Sequence, residues 1–138
     1  HTGYFNNKYI PRAGYSKNTT ELNYENNYRY IRYADVLLMA AEANNRGGIS
    51  DSKAQTYLNE VRSRAGISPM NETGSALTQA IWDERRLEFA GEGHRFFDLV
   101  RTGQAANEIS GFVSGKHEVF PIPQTEIDIS GLTQNPGY

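Results

Sequence analysis

Three glutamates recur every four residues in one segment, and their chemistry is that of general acids and bases. Glu84, Glu88 and Glu92 would share one face of a helix, because residues four apart are neighbours on a helix surface. Paired carboxylates catalyse glycoside hydrolysis, where they face each other across a cleft at about 5 to 9.5 Å. Such acids usually come from separate elements, whereas these three follow one helix. The spacing therefore fits a hydrolase poorly.

Arginines surround these glutamates in the stretch 83–101, which we call the charged block. Aromatic residues within the block indicate that part of it faces a core, and an unpaired buried charge costs several kcal/mol. We therefore expect the block to be structural and ion-paired through Glu84, Arg85, Glu88, Glu92, Arg95, Asp98 and Arg101. The expected pairs are Glu84 or Glu88 with Arg95, and Asp98 with Arg85 or Arg101.

His94 is the residue of the block that could bind a metal ion. A helical zinc motif needs a second histidine four residues away, and His1 and His117 lie far from it in sequence. Gly91 and Gly93 are too close together for a dinucleotide fingerprint, so we expect a corner between two helices. No serine lies in a nucleophile-elbow pattern, and the chain has no cysteine. The sequence thus predicts no catalytic residue, cofactor or metal.

Tyrosines and asparagines crowd the beginning of the chain, and they suggest a different chemistry. Aromatic faces bind the C–H side of sugar rings and amides bind hydroxyl groups, so this segment has the composition of a sugar site. The same side chains could instead pack against another domain, as amphipathic residues do at interfaces, and we favour packing. Both interpretations stay open for Tyr4, Tyr9, Tyr15, Tyr24, Tyr28 and Tyr30.

Hydrophobic periodicity predicts that helices position these residues. One buried face is typical of the series Ala34, Leu37, Leu38 and Ala41. Four helices are predicted, near 31–46, 51–65, 75–90 and 94–102. Gly47 and Gly48 should end the first, Ser50 or Asp51 should cap the second, and Ser75 should cap the third.

The short loop after the first helix makes the first two helices an antiparallel hairpin of the tetratricopeptide type. The predicted fold class is mostly α with a loop-rich tail, in which the patch 119–120 is β-prone. A single hairpin cannot bury its own apolar face. We therefore expect this face to remain exposed until another copy or a further part of the protein covers Leu37, Leu38, Tyr57, Leu58 and Val61.

The length and composition of the chain limit the classes of function that it can have. A chain of 138 residues suits one small domain with a modest core. The formal net charge of −2 argues against nucleic-acid binding, and no apolar run is long enough to span a bilayer. The chain begins with His1 in polar sequence and has no signal peptide, so we expect it to be a piece of a longer protein.

Several segments carry a family resemblance. They are RYADVLLMAAEA at 32–43, NEVRSRAG at 59–66, ERRLEFAGEGHRFFDLVR at 84–101, FPIPQTEI at 120–127 and QNPGY at 134–138. In this order they resemble motifs of the SusD/RagB family of nutrient-binding outer-membrane lipoproteins. The match covers most of residues 28–138.

The resemblance implies a fold, a location and a function. The chain would be the C-terminal part of a SusD-like domain, with a lead-in at 1–30, a helical part at 31–102 and an irregular tail at 103–138. The whole protein would bind oligosaccharides, sometimes peptides, at the cell surface without cleaving them. Its partner would be a SusC-like TonB-dependent transporter, and a lipid anchor outside this chain would be its attachment to the outer membrane.

Two features of the resemblance limit what this chain is expected to do. In the family the glycan is held mainly by residues from elsewhere in the longer protein, which favours packing for the tyrosines. The ligand cannot be named from the sequence. The alternative function is a helical-repeat protein–protein interaction module without small-molecule binding. A lipid-anchored cysteine in the full-length protein and a transporter gene next to its own gene would favour uptake instead.

Overall fold

Six helices form the regular structure of the part of the chain that the structure describes. The computed structural model describes Gly3, residues 6–9 and residues 27–138. The helices are α1 Tyr33–Arg46, α2 Asp51–Arg64, α3 Gly74–Glu88, α4 Arg95–Arg101, α5 Ala105–Glu108 and α6 Gln124–Ser130. No strand occurs in these described ranges. The mostly α prediction is confirmed, and the four predicted helices each differ from the observed bounds by two residues or fewer.

Helices α1 and α2 form the predicted hairpin. The N–H of Gly47 donates to the carbonyl of Ala43 at 3.0 Å, and Gly48 adopts a φ of 65°, a left-handed conformation that ends a helix cheaply at glycine. Ser50 caps α2, because its hydroxyl oxygen accepts from the N–H of Lys53 at 3.2 Å. Both signals predicted from the sequence are therefore present.

The core lies between the hairpin and α3. Its buried apolar residues are Leu37, Leu38, Ala41, Ala54, Leu58, Val61, Leu77, Ala80, Ile81 and Phe89, with Tyr57 packed at the edge. The expectation that the hairpin face would stay exposed is wrong, since Leu38 and Leu58 are 0% exposed. Helix α3 supplies a second apolar stripe of the right width, so it covers the face within this chain.

Side chains of α1 and α2 hold the start of α3. The predicted cap, Ser75, is already inside the helix, and the N-cap residue Thr73 makes no side-chain cap bond. Asp51 replaces it, because its Oδ2 accepts from the N–H of Gly74 at 2.7 Å, while Asn45 Nδ2 donates to the carbonyl of Gly74 at 3.1 Å. The hairpin itself thus satisfies the first N–H of the helix, one of the groups that have no partner within α3.

The amide of Asn59 orders the loop that leads into α3. It donates to the carbonyl of Met70 at 2.8 Å and accepts from the N–H of Met70 at 2.8 Å. One side chain therefore pairs with both backbone groups of Met70, as a neighbouring strand would. This contact sets where the chain can enter α3.

The chain divides into two compact units, His1–Glu92 and Gly93–Tyr138. The second contains α4, α5 and α6, and its tail is held by side chains rather than by regular structure. Gln134 accepts from the N–H of Ile122 and donates to its carbonyl, each at 2.8 Å. Asn135 Nδ2 donates to the carbonyl of Phe120 at 2.7 Å, so the β-prone patch is paired by side chains and not by a strand.

The described helices do not meet the requirements of a membrane span. None of them combines the length and the apolarity that crossing a bilayer demands.

Substitution of a buried and of an exposed leucine should lower the free energy of unfolding by very different amounts. Replacing Leu58, which is 0% exposed, with Ala should destabilise the protein by about 2–5 kcal/mol, because the cavity left behind cannot fully collapse. Leu87→Ala on α3 is the matched control, and 67% exposure predicts a loss within about 0.5 kcal/mol. Urea unfolding of both variants measures the difference, and equal losses would contradict this core.

Candidate functional site

Glu92 is the centre of the strongest polar cluster in the first unit. It follows Gly91, whose φ is 78° and where a Cβ would lie 1.9 Å from Asn6 Nδ2, so the turn after α3 favours glycine. Glu92 is 4% exposed. Arg32 donates to both of its oxygens, through Nε and Nη2 at 2.8 Å each, and Lys8 Nζ donates to Oε1 at 2.6 Å. This is the two-pronged Arg–carboxylate geometry that makes the strongest protein ion pairs.

Glu88, the last residue of α3, joins the same cluster. Its Oε1 accepts from Arg32 Nη1 at 2.8 Å, and its Oε2 accepts from Arg64 Nη2. Its backbone carbonyl, which has no partner within the helix, accepts from Lys8 Nζ and from Arg32 Nη2. Cations at a helix C-terminus are stabilised by the helix dipole, so the cluster also completes the end of α3.

The protonation of Glu92 follows from this environment. Burial alone would raise the pKa of Glu92, but hydrogen bonds and charges from Arg32 and Lys8 outweigh it, and the net shift of the pKa is downward. The hydrogen bond to Glu92 in turn raises the pKa of Arg32, against an opposing contribution from burial. The pair is therefore fully charged at neutral pH.

Two further charged residues of α3, one acid and one arginine, pair with residues of opposite charge in the hairpin. Glu84 Oε2 accepts from Arg62 Nη1 at 2.6 Å, and Asp35 Oδ1 accepts from the buried Arg85 Nη1 at 2.6 Å. The guanidinium carbons of Arg32 and Arg85 lie 5.0 and 5.1 Å from the centroid of the Phe89 ring. These cation–π contacts place charge directly against the apolar core.

The expected pairing of Glu84 or Glu88 with Arg95 is wrong. Those acids pair within the first unit, with Arg62, Arg32 and Arg64, whereas Arg95 pairs with Glu108 at 3.3 Å within the second. The expectation followed proximity in sequence, but the nearest cations in space come from α2 and from the start of α1. Asp98 Oδ1 accepts from Arg101 Nε at 2.8 Å, which is one of its two expected pairs. The alternative partner, Arg85, pairs with Asp35.

Three of the tyrosines form an aromatic row beside this cluster. The rings of Tyr9 and Tyr28 stack with centroids 5.3 Å apart, and Tyr30 contacts Tyr28 edge-on at 6.0 Å. Tyr28 also donates its hydroxyl to the carbonyl of Glu92 at 2.6 Å, which fixes the row to the end of α3. Tyr28 and Tyr30 are 56% and 80% exposed, so the row keeps an open aromatic surface. Tyr4, Tyr15 and Tyr24 lie outside the described residues.

A cavity of about 330 Å³ opens beside the ion pairs, and Tyr9 is the member of the aromatic row that lines it. We call it the charged pocket, and its lining residues are Lys8, Tyr9, Arg29, Arg32, Arg64, Leu87, Glu88 and Glu92. Desolvation, followed by the charge of Glu92, raises the pKa of Tyr9, so its phenol stays neutral and keeps its proton for donation. The pocket combines an aromatic ring, an exposed leucine and several cations.

Metal-ligating side chains do not cluster in the described part of the chain. Across Gly3, 6–9 and 27–138, no group of three or more His, Cys, Asp or Glu side chains could hold a metal ion. His94 is half-buried just before α4. Gly91 and Gly93 follow α3 with φ angles of 78° and 82°, left-handed turn conformations that favour glycine without a dinucleotide loop.

Sequence reasoning missed the four cations of the charged pocket, Lys8, Arg29, Arg32 and Arg64, and nothing in the sequence analysis pointed to Arg29. A signal for two of them was present, because Arg32 and Arg64 belong to the segments at 32–43 and 59–66 that resemble family motifs. Charged residues that recur in separate motifs of one domain are natural partners for each other. Lys8 had no such signal.

Comparison with known proteins identifies the family. A model of the SusD family matches residues 1–118. The chain belongs to the SusD family. Among individual relatives, this SusD-family chain is similar to SusD-like protein P2 of Formosa agariphila, with 32% identity over 95% of the chain and 30% of that protein.

Solved structures of the family show the same fold. A SusD homolog from Bacteroides thetaiotaomicron is 36% identical, with a TM-score of 0.74 over 80% of this chain and 25% of that one. Surface glycan-binding protein A from the same species, solved in complex with laminarihexaose, is 41% identical, with a TM-score of 0.69 over 82% of this chain and 26% of that one. The chain therefore spans between a quarter and a third of the length of these SusD relatives.

The buried pair between Asp35 and Arg85 should be a strong determinant of stability. Asp35→Ala should destabilise this SusD-family chain by about 3–5 kcal/mol, because it leaves a buried guanidinium without that partner. Glu108→Ala is the control, since its pair with Arg95 is exposed and should contribute less than about 1 kcal/mol. Urea unfolding measures both, and a small loss for Asp35→Ala would show that solvent or a rearranged acid replaces the pair.

The ion pairs of Glu92 should make the free energy of unfolding depend on pH. Its pKa in the folded state lies below the ordinary 4.5, so its contribution is complete above that pH and is lost as the pH falls through the folded pKa. Glu92→Gln should therefore be less stable than the wild type at pH 7, and the gap should narrow from about pH 4.5 downward. Urea unfolding at pH 7, 5, 4 and 3 checks this, and a constant gap would refute it.

Proposed function

We propose that this chain is the C-terminal part of a cell-surface, nutrient-binding protein that captures oligosaccharides. The similarity to the surface glycan-binding protein solved with laminarihexaose is the observation that carries the proposal. The family and the share of each relative that the chain spans support its place within a longer protein. Exposed apolar residues on α1, among them Tyr33 and Val36, are suited to packing against further helices of that protein.

The protein would bind its ligand without cleaving it. Glu84, Glu88 and Glu92 each accept a charged hydrogen bond from arginine, and all three connect helices. A general acid needs a proton to donate near neutral pH, whereas Glu92 has a lowered pKa and is anionic there. The charged block thus fits a scaffold better than a catalytic centre.

The cellular context of the proposal comes from the family resemblance. A lipid anchor outside this chain would attach the protein to the outer membrane at the cell surface. There it would deliver oligosaccharide to a SusC-like TonB-dependent transporter. Most of the glycan contacts would lie in other parts of the protein, and the aromatic row of Tyr9, Tyr28 and Tyr30 would add to them.

Calorimetry with a neutral glycan panel that includes laminarihexaose tests this proposal. The full-length protein should bind at least one member, whereas this chain alone, with its helix content verified by circular dichroism, should bind at least about tenfold more weakly because much of the site is absent. Reducing-end assays should show no product. Equal affinity of chain and full-length protein would place the site on these residues. Absence of binding to glycans and peptides alike would favour a helical-repeat interaction module.

A further inference from the structure

The charged pocket carries more positive than negative charge. Four cationic side chains and two carboxylates line it, which leaves a formal excess of two positive charges. The chain as a whole has a net charge of −2, so this excess is local and opposes the overall balance. A partly enclosed excess of cations favours an anionic occupant, because low local dielectric strengthens the attraction.

The two carboxylates already pair with three of the four cations. Both oxygens of Glu92 and Oε1 of Glu88 accept from Arg32, and Lys8 adds a second bond to Glu92. Arg32 therefore has its three nitrogens engaged inside the protein. Arg64 makes the remaining bond, to Oε2 of Glu88, so Arg29 is the cation of the pocket without a carboxylate partner among the described residues.

The remaining donors lie on Arg64 and Arg29. Arg64 donates to Glu88 through Nη2, and its side chain lines the pocket and is 60% exposed. Arg29 is exposed at the rim, and none of the ion pairs between described residues involves it. Two guanidinium groups at one rim can present planar pairs of N–H donors, the geometry that matches an oxyanion.

We propose that the charged pocket binds the oxyanion of an acidic oligosaccharide, a uronate carboxylate or a sulfate ester. Arg29 and Arg64 would hold the oxyanion, and the Tyr9 ring and Leu87 would contact the apolar face of the same sugar. The cavity lies near the lower end of the range for small-molecule sites, about 300–1,000 Å³, so it suits one sugar unit of a chain. This inference rests on the proposed function and specifies its ligand class.

Titration of the full-length protein with matched trisaccharides tests the inference. The probes are trigalacturonate, a sulfated galactotriose and uncharged galactotriose, which separate the two oxyanions from the neutral sugar. At low salt, at least one acidic probe should bind about tenfold or more tightly than galactotriose, as expected for charged hydrogen bonds, and added salt should reduce that difference.

Two variants and one control locate the effect. Arg29→Gln, and Arg29→Gln combined with Arg64→Gln, should weaken binding of the acidic probe about tenfold while leaving the affinity for galactotriose unchanged. Arg86→Gln is the control, because Arg86 is an exposed cation of α3 that does not line the pocket, and it should change neither affinity by more than about twofold. Arg29→Gln keeps the inference testable if the double variant fails to fold.

Three outcomes would overturn the inference. Equal affinity for charged and uncharged probes would show that the pocket does not select an oxyanion. Equal losses in the pocket variants and in Arg86→Gln would show a general charge effect. A lowered melting temperature with unchanged affinities would show that the two arginines are structural. Each of these leaves the proposed function intact if a neutral glycan binds, whereas no binding across both glycan panels would reject the proposed function itself.

Discussion

The guanidinium group of Arg32 is the contact on which the first unit depends. It lies immediately before α1, yet its three nitrogens donate to Glu88 and Glu92 at the far end of α3. The same group lies over the ring of Phe89 in the core. A planar, permanently charged group with a fixed fork of donors can make all these contacts at once, which an ammonium group cannot. The start of one helix and the end of another are thereby placed relative to each other.

The rest of the charged network follows the same logic. Asp35 of α1 pairs with Arg85 of α3, and Arg62 and Arg64 of α2 pair with Glu84 and Glu88. Buried ion pairs add little net stability, because desolvation offsets most of the Coulomb energy, but a missing partner is costly. Alternative packings of the three helices would leave such partners unmatched. The network therefore selects one packing, while the apolar core supplies most of the stabilisation.

The use of carboxylates in ion pairs between helices leaves exposed positive charge on the surface beside the network. The carboxylates are used to connect helices, so the charge left at the pocket rim is positive and lies on exposed arginines. Tyr28 is fixed by its bond to the Glu92 carbonyl but keeps more than half of its surface exposed. An aromatic group held in place in this way would lose little entropy on contact with a ligand, which would suit the proposed capture of a glycan.

The sequence by itself determined the first four helices to within two residues, because period-3.6 apolar spacing, the Ser50 cap and the Gly47–Gly48 stop are local signals that act within a few residues. It also indicated that the charged block is paired, and its motifs identified the family. Which acid meets which base was decided by the tertiary structure, since Glu88 and Glu92 meet Arg32 from 56 and 60 residues away. The burial of the hairpin face was decided in the same way, when α3 packed over it. Sequence spacing sets neighbours along one helix, whereas contacts between helices depend on how whole apolar faces pack together.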